Sequence, residues 1–143
     1  MRSRARDVLI VTVAVALFTL VARPASGFAR DTVPPSFAGL ASATTCIPGP
    51  ATTPPRSSSY HLSWQSAVDD RTPSRRIVYD IYQADKAGGE DFSHPTYTTA
   101  PGATTFDTPK LPDTGWWFVV RARDRADNSD ANQVERQGVN LCV

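Results

Sequence analysis

Short stretches of alternating apolar and polar residues dominate the chain after residue 27, and none shows the spacing of an amphipathic helix. The clearest alternation is YHLSW, at residues 60–64, followed by IVYDIYQA, at residues 77–84. Proline and glycine recur between such stretches and mark turns. Seven strands are predicted, in the segments 37–44, 60–64, 77–84, 95–100, 103–108, 116–123 and 133–143. Strands separated by turns at intervals of roughly eight to twelve residues predict an all-β, seven-stranded antiparallel sandwich.

The strongest of these strands is WWFVVRAR, at residues 116–123. Successive side chains of a strand point to opposite faces, so half of this strand is expected in the core and half outside. The same alternation places one face of each neighbouring strand inside. The marker residues predicted in the core are Trp64, Tyr79, Ile81, Leu111, Trp116, Phe118 and Val120.

The outward half of this strand, with one residue of a neighbouring strand, offers side chains that could recognise a partner. The candidate recognition residues are Trp117, Tyr82, Arg121 and Arg123. An exposed aromatic ring can stack on a sugar or anchor a protein partner. A purely structural interpretation stays open for all four. Tyr82 or Val78 could cover Trp117, and both arginines are predicted to pair with Asp80 across the sheet rather than to bind a partner.

Residues 1–27 have the layout of a secretory signal peptide. A basic start is followed by an apolar run from Val8 to Ala22, and small residues at Ala25 and Gly27 suit a cleavage site. The run is shorter than the roughly 20 residues that a membrane-spanning helix needs. An uncleaved membrane anchor is the alternative. The expected location is therefore secreted or in the cell envelope.

The charge balance changes once the leader is set aside. The whole chain has 15 basic and 14 acidic residues, and removing the four arginines and one aspartate of residues 1–27 leaves 11 and 13, a net charge of −2. Nucleic-acid binding requires a basic surface that neutralises phosphates. This class of partner is therefore not expected.

Cys46 and Cys142 are the only cysteines. An even number in an exported chain favours one disulfide, which would close a loop of nearly the whole domain. Two free thiols are the alternative.

Catalytic motifs give no support to an enzyme. The sequence contains no glycine-rich phosphate loop, zinc-protease helix or nucleophile elbow. His61 is expected to point outward from its strand, and neither His61 nor His94 lies in a ligand spacing. The prediction is a protein without enzymatic activity.

Several motifs together resemble a fibronectin type III domain over residues 31–142. They are DTVPPSFAGL at the entry, LSW in strand B, VDDRTP leading into YDIYQA in strand C, PGATTF before strand E, and WWFVVRARDRADNSDAN in strand F and its hairpin. Leu111 stands at the position of the corner leucine. The resemblance implies a domain over residues 28–143 with a proline-rich A–B loop at 46–59. One departure is Trp116, because the family usually has a tyrosine at that corner; its indole can fill the corner and donate its N–H.

The resemblance also implies which residues meet at the ends of the sandwich. Cys46 at the end of strand A and Cys142 at the end of strand G are brought to the same pole, which supports their pairing. The B–C and F–G loops share the other pole, and their oxygen ligands could bind Ca²⁺. Ordinary turn chemistry is the alternative for these aspartates. The candidate metal ligands are Asp69, Asp70, Asp124, Asp127 and Asp130.

The function expected from this resemblance is that of an exported recognition or structural module, with protein binding or cell-surface adhesion as its task. A carbohydrate-binding accessory domain that uses Trp117 and Tyr82 is the alternative. The expected partners are an extracellular protein or a glycan, and no cofactor is expected unless Ca²⁺ binds. Membrane contact is expected only if the leader is not cleaved.

Overall fold

The computed structural model describes residues 29–47 and 57–142. The predicted signal peptide and residues 48–56 of the proline-rich loop lie outside the described residues. Among the residues that are described, no helix has the length and apolar character needed to cross a membrane. These residues form an all-β structure, as the alternation predicts, with one short 3₁₀ helix at Ser74–Arg76.

In the two described ranges the chain forms ten strands in three sheets. The strands are β1 (Leu40–Thr45), β2 (Ser57–Ser58), β3 (His61–Trp64), β4 (Val78–Ala84), β5 (Tyr97–Thr98), β6 (Thr105–Asp107), β7 (Leu111–Pro112), β8 (Trp117–Arg123), β9 (Glu135–Gln137) and β10 (Val139–Asn140). One sheet has the order β10-β1-β3-β6, and a second has the order β5-β4-β8-β9. The third is the small pair β2-β7.

A single core contains side chains from both four-stranded sheets. Alternation along β3 and β8 supplies the inward residues that the sequence predicts, and Leu111 and Trp116 pack against the cluster while remaining partly exposed. Tilted ring contacts of 5.2 Å join Trp64 and Phe37 to Tyr79 at its centre. The marker residues with almost no exposed surface are Trp64, Tyr79, Ile81, Phe118 and Val120.

The pairing of the last strand differs from the seven-stranded antiparallel prediction. The segment predicted as one strand is divided at Gly138 into β9, which pairs antiparallel with β8, and β10, which pairs parallel with β1. Gly138 crosses against the ring of Tyr60, so close that an added Cβ would lie 2.2 Å from Tyr60 Cε1. The absence of a side chain at this position therefore lets the chain pass from one sheet to the other.

Two further strands, β2 and β7, lie where loops are expected. Ser57 and Ser58 pair with Pro112 and Leu111 in only two register positions. A pair this short carries no periodic signal, and a proline beside the ladder argues against a strand in the sequence. The prediction therefore missed both.

Candidate functional site

The outer face of the β5-β4-β8-β9 sheet brings the predicted recognition residues together, but in a different arrangement from the one expected. The register pairs Asp80 with Arg121 and Val78 with Arg123. Arg123 Nε nevertheless donates to Asp80 Oδ2 at 2.7 Å, and Thr98 donates to the other carboxylate oxygen, also at 2.7 Å. Asp80 is buried, and its contact with Arg123 raises the pKa of the guanidinium. This arginine is therefore part of a structural ion pair.

Arg121 does not share that pairing. Its Nε donates to the backbone oxygen of Asn132 at 3.0 Å, and its guanidinium carbon lies 3.7 Å from the centroid of the Phe92 ring. The prediction that both arginines pair with Asp80 is therefore wrong for Arg121. A cation held over an aromatic face is a stabilising contact, and here it fixes a loop residue onto the sheet.

Tyr82 lies underneath this contact. The Tyr82 ring makes an edge contact with the Phe92 ring, at 5.1 Å between centroids. The guanidinium carbon of Arg121 lies 5.6 Å from the centroid of the Tyr82 ring. Only 6% of Tyr82 is exposed, which corrects the expectation that it offers a surface ring. Burial also raises the pKa of its hydroxyl. The covering residue, Phe92, comes from the 85–96 loop and has no periodic relation to the strands, so sequence reasoning did not find it.

Trp117 lies at the start of β8, away from this stack. The register places it between Ala84 of β4 and Gln137 of β9. Val78 stands opposite Arg123, at the other end of β8, so it does not cover Trp117, whereas Tyr82 stands opposite Val119, the next residue of β8 on the same face. Trp117 keeps part of its surface exposed.

A cavity of about 290 Å³ opens beside Phe92 on the same outer face. We call it the carboxylate pocket, and its lining residues are Gly88, Glu90, Phe92, Val119, Gln133 and Glu135. Glu135 Oε1 accepts the Gly88 N–H at 2.6 Å, whereas Glu90 Oε1 is buried without any hydrogen-bond partner. Burial raises the pKa of Glu90, and the neighbouring Glu135 carboxylate raises it further.

Sequence reasoning missed this pocket because its two carboxylates come from segments that are distant in the chain. Glu90 belongs to the 85–96 loop, and Glu135 belongs to β9, where it stands opposite Val119. A usable signal was the alternation of the last strand, which puts Glu135 on the same outer face as Val119 and Arg121.

The predicted metal ligands divide into two groups. Asp69 and Asp124 form a cluster with a third residue, Asp31. One carboxylate oxygen of each of the three lies within 4.8 Å of those of the other two. Asp124 is buried, and Asp69 Oδ2 is buried without a hydrogen-bond partner. Carboxylate oxygens from three chain segments are a donor set that suits Ca²⁺. Asp31, in the entry segment, was not among the predicted ligands.

The other three aspartates lie outside this cluster, which corrects the predicted ligand set. Asp70 Oδ2 lies 3.9 Å from Arg71 Nε. Asp127 has a positive φ of 67° and accepts from Arg123 at 2.9 Å. Asp130 accepts from the backbone N–H groups of Ala122 and Asn132. These contacts belong to the turn and ladder chemistry that the sequence offered as the alternative.

The disulfide between Cys46 and Cys142 is present, with a Cα–Cα distance of 4.9 Å across a sequence separation of 96 residues. Hydrogen bonds support it on both sides. Asn140 Oδ1 accepts from Ile47 N and Cys142 N, and Leu141 N donates to Thr45 O at 2.9 Å.

Two further predicted features lie away from the outer face. Trp116 fills the corner before β8 and donates its indole N–H to Pro112 O at 2.7 Å. His61 is exposed on the opposite sheet, where its Nδ1 lies 2.7 Å from Asp107 Oδ1.

Comparisons with known proteins gave no similar chain. No family model matches the sequence, and neither the curated proteins nor the solved structures contain a significant match.

Proposed function

We propose that this chain is an exported recognition or structural module of the fibronectin type III kind, which acts outside the cytoplasm by binding a protein partner. The observation that carries the proposal is the division of the strands: β1, β3 and β6 lie in one sheet, and β4, β8 and β9 lie in the other. Counted as strands A, B, E and C, F, G, this division of the strands supports a sandwich of that kind.

The disulfide adds support for export. It covalently joins the first and the last strand of the described domain, and such bonds persist in oxidising compartments. The signal-peptide layout of residues 1–27 leads to the same location. Binding and adhesion are inferred from the fold class alone, so they need a direct test.

Site-specific photo-crosslinking at the native cell surface tests the binding function. A photoreactive phenylalanine analogue at Trp117 samples the outer face of the β5-β4-β8-β9 sheet, and the same analogue at Thr105, an exposed position of β6, samples the opposite sheet. We expect a discrete crosslinked protein from one of these positions that disappears when excess unmodified protein is added. Crosslinks that resist competition at both positions would contradict the proposal.

The carbohydrate-binding alternative now depends on Trp117 alone, because Tyr82 is buried beneath Phe92. Stacking on sugar rings by a single partly exposed indole gives a weaker platform than two rings would. A glycan array compares the protein with a Trp117→Ala variant. Sugar binding that the substitution abolishes would favour this alternative over a protein partner.

Calcium binding stays a prediction, with Asp31, Asp69 and Asp124 as the ligands to examine. A ligand that binds only the folded state raises the melting temperature as its concentration increases. The measurement compares melting in millimolar Ca²⁺ and in chelator, for the protein and for Asp31→Asn, with Asp70→Asn as the control. An equal melting temperature in millimolar Ca²⁺ and in chelator would contradict calcium binding.

A further inference from the structure

The carboxylate pocket contains two acidic side chains that no basic side chain neutralises. Among the described residues, neither Glu90 nor Glu135 has a basic nitrogen within 4.0 Å, whereas Asp80 and Asp127 both pair with Arg123. On this face, the guanidinium of Arg121 is held over the Phe92 ring and bonded to the Asn132 backbone. Within the described residues, the two carboxylates of the pocket therefore make no ion pair.

Holding the two carboxylates together costs free energy in the unbound protein. Glu90 Oε1 is buried without a partner, and a buried acceptor that lacks a hydrogen bond is destabilising. Burial and the charge of Glu135 both raise the pKa of Glu90, which means that its ionised form is disfavoured where it stands. A cation placed between the two groups would remove both penalties.

The shape of the pocket restricts which cation fits. A volume of about 290 Å³ far exceeds that of a single ion, since one water molecule occupies about 30 Å³ in the liquid. Phe92 forms an apolar wall above the almost fully buried Val119, while Gln133 offers an amide. An apolar wall beside a pair of carboxylates matches a ligand with an aliphatic stem and a cationic head.

We propose that the carboxylate pocket receives a lysine or arginine side chain of the partner protein, with the cationic head between Glu90 and Glu135 and the stem along Phe92. This inference deepens the proposed recognition function and depends on it for the identity of the partner as a protein. It also assigns the contact to the outer face of the β5-β4-β8-β9 sheet, with the 85–96 loop as one wall.

NMR titration with small probes tests the pocket without requiring the partner itself. The isotope-labelled protein, recovered after export, is titrated with N-acetyl-arginine methylamide and N-acetyl-lysine methylamide. The matched neutral probe is N-acetyl-citrulline methylamide, which keeps the length and shape of arginine and removes its charge. We expect saturable shifts of the Gly88, Phe92 and Glu135 amides with at least one of the two cations and much smaller shifts with the neutral probe.

Two substitutions locate the binding. Glu135→Gln keeps an acceptor for the Gly88 N–H but removes the charge, and it should weaken cation binding by about tenfold, the effect of losing one charge-assisted hydrogen bond. Glu90→Gln should act in the same direction. Asp107→Asn removes an exposed carboxylate from the opposite sheet and should leave the affinity unchanged.

Three outcomes would overturn the proposal: no saturable shift with either cation, equal shifts with the citrulline probe, or equal affinity after both glutamate substitutions. Calcium is titrated in parallel, and shifts at the pocket with calcium but with neither organic cation would also overturn it. None of these results bears on crosslinking elsewhere on the surface. Failure of the pocket is therefore distinguishable from failure of the recognition function.

Discussion

At the scale of single residues, the Asp80–Arg123 pair shows how a side chain on the outer face of the sheet can be buried and contribute to the stability of the fold. Asp80 is 4% exposed, so its carboxylate has lost most of its hydration and depends on Arg123 and Thr98 for compensation. Removing one member of a buried pair leaves the other as an unpaired charge, which is more costly than never having formed the pair.

Arg123→Ala should therefore destabilise the protein. A fully buried pair loses roughly 3–5 kcal/mol when one member is removed, and because Arg123 keeps 30% of its side chain exposed we expect about 2 kcal/mol. Urea denaturation measures the change in the free energy of unfolding, and Arg125→Ala, at an exposed position, is the matched control. Equal effects of the two substitutions would show that the pair contributes nothing specific.

Glu90 should make the free energy of unfolding depend on pH. Its folded-state pKa is raised above the ordinary value of 4.5, so the folded state binds the proton more tightly, and stability from this group is lost as pH rises through the raised pKa. Glu90→Gln should therefore raise the melting temperature at pH 7, by the equivalent of at most about 1 kcal/mol, because solvent screens the partly exposed carboxyl group. The gain should disappear near pH 4, and a gain that persists there would contradict the assignment.

Strand parity predicts the inward positions of β8, because successive side chains point to opposite faces and Phe118, Val120 and Ala122 share one face. The same rule fails for Tyr82. Alternation assigns a side chain to a face, but it does not say whether a loop covers that face. Phe92 comes from a loop without periodicity, so neither the burial of Tyr82 nor the carboxylate pocket could be predicted from the local sequence.

At the scale of elements, the most informative feature is the division of the last strand at Gly138. Its N–H donates to Trp116 O at 2.8 Å, which holds the crossing point against the start of β8. On one side β9 extends one sheet, and on the other β10 extends the second sheet in parallel with β1. One short segment therefore joins the edges of both sheets.

Gly138→Ala should disturb this crossing. The added Cβ would clash with the buried Tyr60 ring, and overpacking of this kind typically costs about 1–3 kcal/mol. A double-mutant cycle with Tyr60→Leu measures the coupling, because a smaller side chain should recover part of the loss. Additive effects of the two substitutions would mean that the ring does not limit the space at Gly138.

Element boundaries were the least predictable part of the fold. The long strands β4 and β8 lie within their predicted segments, because seven-residue runs rich in β-branched and aromatic residues give a clear signal. β2 and β7 have two residues each, too few for any period. The sequence shows a glycine at position 138, but only the proximity of Tyr60 makes that glycine a crossing point rather than a simple interruption.

At the scale of the whole molecule, the disulfide links segments that are 96 residues apart. Closing so long a loop reduces the entropy of the unfolded chain, by up to roughly 4–5 kcal/mol in chain-entropy models, although measured values are more often about 2–4 kcal/mol. The all-β class and this pairing were both predictable, since they depend on alternation and on a count of two cysteines. The parallel contact of β10 with β1 was not, because it depends on a distant ring.

Replacing Cys46 and Cys142 together by alanine should lower the free energy of unfolding by about 2–4 kcal/mol. Reductant should destabilise the native protein by a similar amount and leave the variant unchanged. Thermal melting in both conditions gives the comparison. A variant that melts at the native temperature would show that the bond constrains little.

The same bond decides how the molecule responds to mechanical load. A force applied between residues 29 and 142 passes along the 17 residues that lead to Cys46 and then directly through the sulfur atoms to Cys142. The rest of the domain lies outside the load path. Full extension is therefore limited to about 60 Å at roughly 3.5 Å per residue, whereas the reduced chain could lengthen to nearly 400 Å. Under tension only the entry segment and β1 can be drawn out, and the β5-β4-β8-β9 sheet stays outside the load path.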